Sequence, residues 1–371
     1  MQEKNSKRNY TGSFTRMEQW DRQVQNQSLK GSYEVRVTVG KPLDVTALKK
    51  SSVEETRSYA AFLESTAKSI YSNRKSLISR TACPCCHADN RVSNGGSVAI
   101  YGALYIRCVA CDHLFIKDQP DVRDLNKIFL ESESHSSAYT DKAVVEVRLE
   151  QVVQPKLNWI LDFCRQSGRK MPQMVLDVGA GGGHFVACCR KKSIHAEGIE
   201  LSRASRRFAL EVFDLELRDQ DFLTLKRFKP TPDLLTFFGL LEYTPDPFIF
   251  LKVARELLDP SGLLVVEVPR ADCVSTAIQE IFPNTVARHL DPTSHMNCFS
   301  DRSLIALMDR AGFQPLAAWY FGMDAYELLM QFSLNSNVNF SQLALKIPKL
   351  QSYLDQGRLC DDIILICAPI K

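Results

Sequence analysis

The sequence predicts an α/β chain, a doubly wound and mostly parallel sheet with a small module in front of it. Three observations carry this. From about residue 145 strand-length apolar runs alternate with helical patterns, as βαβ units require. One of those runs, "DLLTFF" (233–238), is apolar at nearly every position, as expected of a parallel strand covered on both faces. And "VLDVGAGGGHFV" (175–186) places four glycines in five positions directly behind a strand. Glycines there let the backbone turn sharply and come close to a ligand at the strand's carboxyl end.

The elements follow in order. Residues 1–32 are polar and irregular; "YEVRVTV" (33–39) alternates like a half-buried strand and is closed by Gly40 and Pro42. "SVEETRSYAAFLESTAKSIYSNRKSLI" (52–78) reads as an amphipathic helix, with a Ser cap, early glutamates and late Lys/Arg. A helix (144–166) precedes the strand "MVLDVG" (174–179), and a helix (183–191) follows the glycines. Then come the strand "AEGIEL", the helix "RASRRFALEVF" and a short strand "LELRD". After "DLLTFF", the helix "DPFIFLKVARELLDPSG" leads to the strand "LLVVEVP" (263–269). The helix "DRSLIALMDRAGF", the strand "FQPLAAWYF", an insertion (322–350) and a last strand "DDIILICAP" (361–369) complete the chain. The division expected is a polar, basic leader (1–80), a cysteine module (81–120), a linker (121–144) and the α/β domain (145–371).

Composition narrows the class. With 371 residues, 45% hydrophobic and 24% charged, the chain can bury a core and is not of the disordered type. The net charge of +3 is split, since residues 1–80 hold 15 Lys/Arg against 8 Asp/Glu. A basic leader allows nucleic acid as a partner, but a mixed-sign one is more often a solvated face. No run approaches the 18 or so apolar residues of a membrane span, and residues 1–30 lack a signal peptide's apolar core. The expectation is a cytoplasmic protein with reduced thiols, monomer or homodimer, with no membrane partner.

In such a compartment clustered cysteines point to metal. Cys83 and Cys86, then Cys108 and Cys111, form two C-x2-C pairs 21 residues apart, a donor set suited to tetrahedral Zn²⁺ in a closed structural site. Cys85 and His87 are possible substitute ligands. Reduced, buried cysteines are the plainer alternative. Neither pair opens a helix after a strand, which argues against a redox motif.

The ligand of the glycine turn is bounded by what the turn lacks. A dinucleotide fingerprint needs glycine where His184 stands, and no Gly-Lys-Ser/Thr follows for a Walker loop. What stands is D-x-G-x-G-x-G: Asp177, Gly179, Gly181 and Gly183. A carboxylate at the strand end suits a cationic ligand better than a pyrophosphate. Glu200, ending the next strand, can accept two ribose hydroxyls. Asp221 comes at the end of the third strand, where it could take an exocyclic adenine amine, with Phe222 beside the ring.

These residues resemble the class I S-adenosylmethionine-dependent methyltransferases. The fourth-strand stretch "PDLLTFFGLLEYTPDP" adds to the likeness, with Leu241, Glu242, Pro245, Asp246 and Pro247 in the family's pattern. Tyr243 replaces the usual His, and Gly239 a residue that is often polar. The resemblance implies a Rossmann-like, seven-stranded sheet with its last strand antiparallel, and S-adenosylmethionine as cofactor, released as S-adenosylhomocysteine. It places Asp177 and the glycine turn of Gly179, Gly181 and Gly183 on the methionine part, Glu200 on the ribose and Asp221 with Phe222 on the adenine, with Ala180, Leu201 and Phe238 as further cofactor contacts.

The cysteine module ahead of such a domain is similar to a subfamily that methylates sugars, including C-methyltransferases of nucleotide-linked ketosugars. "SHMNCFSDRSLIALMDRAGF" resembles a stretch of the same subfamily and puts His295 on its histidine, the favoured general base there; Ser294 stands where a glutamate is common. The candidate catalytic residues are therefore His295, Tyr243 and His289, against a structural reading in which His295 only ties its loop and Tyr243 packs. A small-molecule acceptor, methylated on carbon or oxygen, is the expected substrate. An RNA methyltransferase with a zinc-ribbon recognition module is the alternative, and a non-catalytic cofactor-binding module the third reading.

Overall fold

The computed structural model describes residues 14–22, 31–41, 48, 53–73, 76–89, 96–121, 140–283, 289–336, 338, 343 and 346–370. It opens on a hairpin, β1 (Phe14–Asp21) and β2 (Ser32–Val39), paired antiparallel. Val35, Val37 and Val39 are fully buried on one face of β2, as the alternation predicts. The helix α1 (Val53–Ser72) buries Ala60, Leu63, Ala67 and Tyr71, a stripe at helical spacing. Short strands follow: β3 (Leu77–Ser79), β4 (Ser97–Ile100), β5 (Ala103–Arg107), β6 (Leu114–Ile116) and β7 (Asp118–Pro120).

The helix expected over 144–166 is continuous but uneven. A short α-turn (Val145–Arg148) passes into a π-helical turn (Leu149–Val153) and then α2 (Gln154–Gln166). Beyond it β8 (Met174–Val178), α3 (His184–Lys191), β9 (His195–Ile199), α4 (Arg203–Phe213) and β10 (Leu234–Phe238) alternate as predicted. So do α5 (Pro247–Leu257) and β11 (Leu263–Pro269), while α6 (Val274–Ile281) is a helix that the sequence reading did not expect. The chain closes with β12 (Asn297–Cys298), α7 (Asp301–Arg310), β13 (Phe313–Phe321), α8 (Asp324–Ser336), α9 (Ile347–Gln356) and β14 (Asp362–Pro369).

The main sheet runs β1-β2-β13-β14-β11-β10-β8-β9, with β9, β8, β10 and β11 mutually parallel and β14 antiparallel to both neighbours. Side chains alternate between its faces. Val175, Val265 and Ile366 pack under α2, α3 and α4 through Leu157, Ile160, Val186 and Phe208. Leu176, Val266 and Leu365 pack under α5 and α7 through Leu251, Leu257, Leu304 and Leu307. Apolar burial of this size, at about 25 cal/mol per Å², is the main term holding the three layers together.

The sheet corrects two expectations. Seven strands were expected, but "LELRD" contributes only the isolated bridge between Ile199 and Arg218. Leu215 and Leu217 are spent on the core, and Asp221 turns the chain away by accepting the Leu223 N–H at 2.9 Å. The count of eight comes from β1 and β2, which extend the edge of β13. The strands of the leader through residue 39 are therefore part of the main sheet, and β3, just before residue 80, pairs with β7. The second sheet, β12-β6-β5-β4, also crosses the expected division, because β12 belongs to the segment between β11 and α7.

Candidate functional site

The turn after β8 is built by backbone conformation. Gly179, Gly181 and Gly183 have φ of 72°, 52° and 77°, the left-handed region that costs other residues about 1–2 kcal/mol. Space is a second reason for two glycines nearby. A Cβ on Gly183 would stand 3.0 Å from that of Ala209, and one on Gly198 only 2.6 Å from Leu217 Cδ2 and 2.8 Å from Ala180 Cβ. Part of the glycine content thus lets α4 and β9 close on the turn, and is not a matter of ligand approach. Gly183 caps α3 without a side-chain acceptor, so the helix keeps N–H donors at the turn.

Two carboxylates frame this turn. Glu200, just past β9, accepts the Gly181 N–H at 2.8 Å through Oε2 and the Ser202 N–H at 2.7 Å through Oε1. Burial raises its pKa, opposed by those two bonds. Asp177 is buried and its Oδ1 accepts the Thr236 hydroxyl at 2.6 Å. Burial pushes its pKa up to about 7, against the lowering effect of Thr236. Further round, Leu201 is exposed, and Phe238 at the end of β10 meets Phe185 edge-on at 4.7 Å with Lys156 Nζ 5.1 Å above its ring. Lys156 also pairs with Glu267 of β11.

Phe222 departs from its expected place. Its ring is buried and packs on Phe237 and Phe250 at 5.5 and 5.9 Å, so it faces the core while Asp221 faces solvent. The cause is β10 and α5, which together offer an aromatic pocket on that side. His184 is likewise a core residue, between Phe208 and Phe213 at 5.6 and 5.1 Å, and burial lowers its pKa to about 4.

A family profile described as "Methyltransferase domain" matches residues 150–318, the span from the π-turn to the middle of β13. The chain carries a class I S-adenosylmethionine-dependent methyltransferase domain. Among curated relatives of that domain, the ubiquinone biosynthesis O-methyltransferase of Aeromonas salmonicida is 26% identical over 206 residues, covering 53% of this chain and 83% of the relative. That of Albidiferax ferrireducens is 30% identical over 121 residues, 31% of this chain and 46% of the relative. The chain thus spans most of the first and about half of the second. Among solved structures, magnesium protoporphyrin IX methyltransferase from Synechocystis aligns at TM-score 0.43 and 12% identity, over 67% of this chain and all of that one. The Burkholderia thailandensis 1,6-didemethyltoxoflavin-N1-methyltransferase aligns at TM-score 0.42 and 15% identity, over 72% and 96%.

At the same strand edge of the methyltransferase domain, the segment between α6 and α7 brings the expected catalytic candidates together. His295 Nδ1 lies 3.0 Å from the His289 carbonyl, which can only accept, so Nδ1 carries a proton toward it. Tyr243 stands edge-on to the His295 ring at 4.9 Å and 86°. His289 differs: it is buried, and its Nε2 is 3.1 Å from Asp361 Oδ2, so it braces the loop from behind. Arg288 lies outside the described residues.

The four expected cysteines also converge. The thiol sulfurs of Cys83, Cys86, Cys108 and Cys111 all lie within 4.8 Å of one another and are buried. The two pairs form matching turns, with His87 N–H to Cys83 C=O at 2.9 Å and Asp112 N–H to Cys108 C=O at 2.8 Å. His87 and Asp112 have φ of 65° and 61°. Four converging thiols on repeated turns fit a tetrahedral ion. Cys85 is buried and His87 exposed, both outside the four.

Some contacts of these groups were not legible in advance. Thr236 bonds Asp177, Asp361 faces His289 and Tyr105 bonds the His295 carbonyl, but each partner is distant in sequence, and no spacing rule reports such a contact. The nearest signal was the polar run "SHMNCFS" itself, which lies in a part with few regular patterns.

Proposed function

We propose that this enzyme transfers the methyl group of S-adenosylmethionine to a small-molecule acceptor, a sugar, nucleotide-sugar or related biosynthetic intermediate, with His295 as general base. The observation that carries the base is the bond from His295 Nδ1 to the His289 carbonyl, which leaves Nε2 as the proton acceptor. The activity of the curated relatives, O-methyltransferases of ubiquinone biosynthesis, supports a hydroxyl acceptor; the cysteine module and the "SHMNCFS" likeness support the sugar class.

The residues fit the cofactor. Each Glu200 oxygen spends one lone pair on a backbone N–H and keeps another for a ribose hydroxyl. Asp221 commits Oδ1 to Leu223, and an adenine amine would take Oδ2. Asp177, next to the turn, suits the cationic end of the ligand. When bound, the cofactor supplies a sulfonium-activated methyl group for in-line displacement. His295 then takes the acceptor's proton at Nε2, Tyr243 holds the imidazole edge, and His289 with Asp361 keeps the loop in register. Cys83, Cys86, Cys108 and Cys111 would hold zinc with all four positions filled by protein, a structural ion that activates no water.

Calorimetry with S-adenosylhomocysteine, followed by transfer from radiolabelled S-adenosylmethionine to panels of catechols and nucleotide-sugars, tests this. His295→Ala should cut transfer by about 10²-fold or more while leaving S-adenosylhomocysteine affinity within twofold. Full turnover in that variant removes the base assignment. A wild-type protein that does not bind S-adenosylhomocysteine removes the whole reading.

A further inference from the structure

A buried side chain connects the cysteine module to the reactive edge. Asn297, in β12, is fully buried. Its amide nitrogen donates to the carbonyls of Thr244 at 2.7 Å and Leu241 at 3.3 Å, the two ends of the turn that carries Tyr243. Because both partners are acceptors, the amide oxygen must face the other way, toward His113 Nε2 at 3.1 Å. His113 is fully buried as well, two residues beyond Cys111 and directly before β6, and stands between Phe115 and Phe299 at 5.6 and 4.9 Å.

The neighbouring bonds run in the same direction. Met296 N–H donates to Glu242 C=O at 2.7 Å, Tyr105 hydroxyl donates to His295 C=O at 2.8 Å, and Ser300 hydroxyl donates to Cys111 C=O at 2.7 Å. The second sheet therefore holds both the turn of Tyr243 and the loop of His295. One detail sets His113 apart from ordinary core packing. Its Nδ1 is buried with no hydrogen-bond partner among the described residues, a penalty that a phenylalanine in the same slot would avoid.

We propose that Asn297, held by His113, is a positioning residue that passes the order of the four-cysteine centre to the Tyr243 turn and the His295 loop. This rests on the reading of the cysteines as a zinc site given above. In this arrangement the metal fixes the turn Cys108–Asp112, that turn fixes His113, and the carboxamide transmits its place to residues 241–244. Asn297 touches neither the glycine turn nor Glu200, so cofactor affinity is independent of the bridge.

The test is amide hydrogen exchange by mass spectrometry on the full-length protein, with zinc content measured on each sample. Removing zinc from the wild type with EDTA should raise exchange in peptides covering 241–246 by about tenfold or more. Asn297→Ala, still zinc-loaded, should show the same rise, and EDTA should add nothing further there. His113→Phe should loosen the turn equally, while His113→Gln, which keeps an N–H for the Asn297 oxygen, should restore protection to within about twofold of wild type. Should Asn297→Ala fail to fold, the His113 pair decides. Wild-type protection of 241–246 in both zinc-loaded disrupting variants, or a Gln variant that behaves like Phe, overturns the bridge. A preparation that holds no zinc overturns the reading of the cysteines instead, and the metal content alone reveals it.

Discussion

Replacing Glu200 with Gln separates the duty this side chain has in the fold from the ribose contact proposed for it. In the fold, its oxygens accept the Gly181 and Ser202 N–H groups at 2.8 and 2.7 Å. A Gln amide keeps one acceptor, so whichever way it turns, one N–H faces an NH2. Leaving a partly buried donor unpaired costs about 1–3 kcal/mol, and about 2 kcal/mol suits a group that water reaches on one side. That corresponds to a fall of about 4–8 °C in midpoint for a domain of this size. Separately, a lost charged acceptor for the ribose hydroxyls should weaken S-adenosylhomocysteine binding by about 10- to 100-fold. Urea titration of the apo protein and calorimetric titration of S-adenosylhomocysteine read the two effects independently. An unchanged urea midpoint would refute the brace. A lowered midpoint with wild-type affinity would remove Glu200 from the ribose contact and leave it as a turn-holding residue.

Gly183→Ala combines a φ of 77° with a 3.0 Å approach to Ala209 Cβ, and should cost about 2–4 kcal/mol, whereas the φ of 52° at Gly181 accounts for about 1–2 kcal/mol in Gly181→Ala. Equal denaturation midpoints for the two variants would count against packing as the reason for Gly183. Cys108→Ser should reduce bound zinc from one equivalent to a small fraction, measured by metal analysis of the purified chain; retained stoichiometry would exclude Cys108 as a ligand. The Asp177 carboxyl, raised to about 7 by burial, also gives a pH signature. The folded protein holds a proton that the unfolded chain releases near pH 4, so this group's contribution is complete below about pH 4. It declines as pH rises to about 7, by roughly 4 kcal/mol at most, and is level above that. Asp177→Asn should remove that decline, so its stability relative to wild type should be greater at pH 8 than at pH 5. A parallel pH dependence in the two proteins would show that Asp177 does not carry the proton.

The extent to which this architecture was legible varies by the range of the forces involved. Strands β8, β10 and β11 and helices α3, α4 and α5 rest on local hydrophobic period, caps and the glycine turn, all written within a dozen residues. The same holds for the two C-x2-C turns, whose geometry depends on a five-residue loop closing on itself. By contrast, Phe222 was expected beside an adenine ring, next to Asp221. Only the aromatic pocket of Phe237 and Phe250, contributed from other elements, turned its ring to the core.

The fate of β2 and "LELRD" makes the same point at the level of strands. Alternation marked both as extended, but joining a sheet depends on which edge is open, and the open edge of β13 took the hairpin from the leader. The amino-acid sequence by itself determined the α/β class, the glycine turn after β8, and the pairing of cysteines, because each is a short-range pattern with its own chemistry. Only the tertiary structure decided that the cysteine module shares a sheet with the His295 segment, and that His289 faces Asp361. Those outcomes come from contacts between residues tens to hundreds of positions apart, where packing and hydrogen-bond geometry, and no local preference, select the partner.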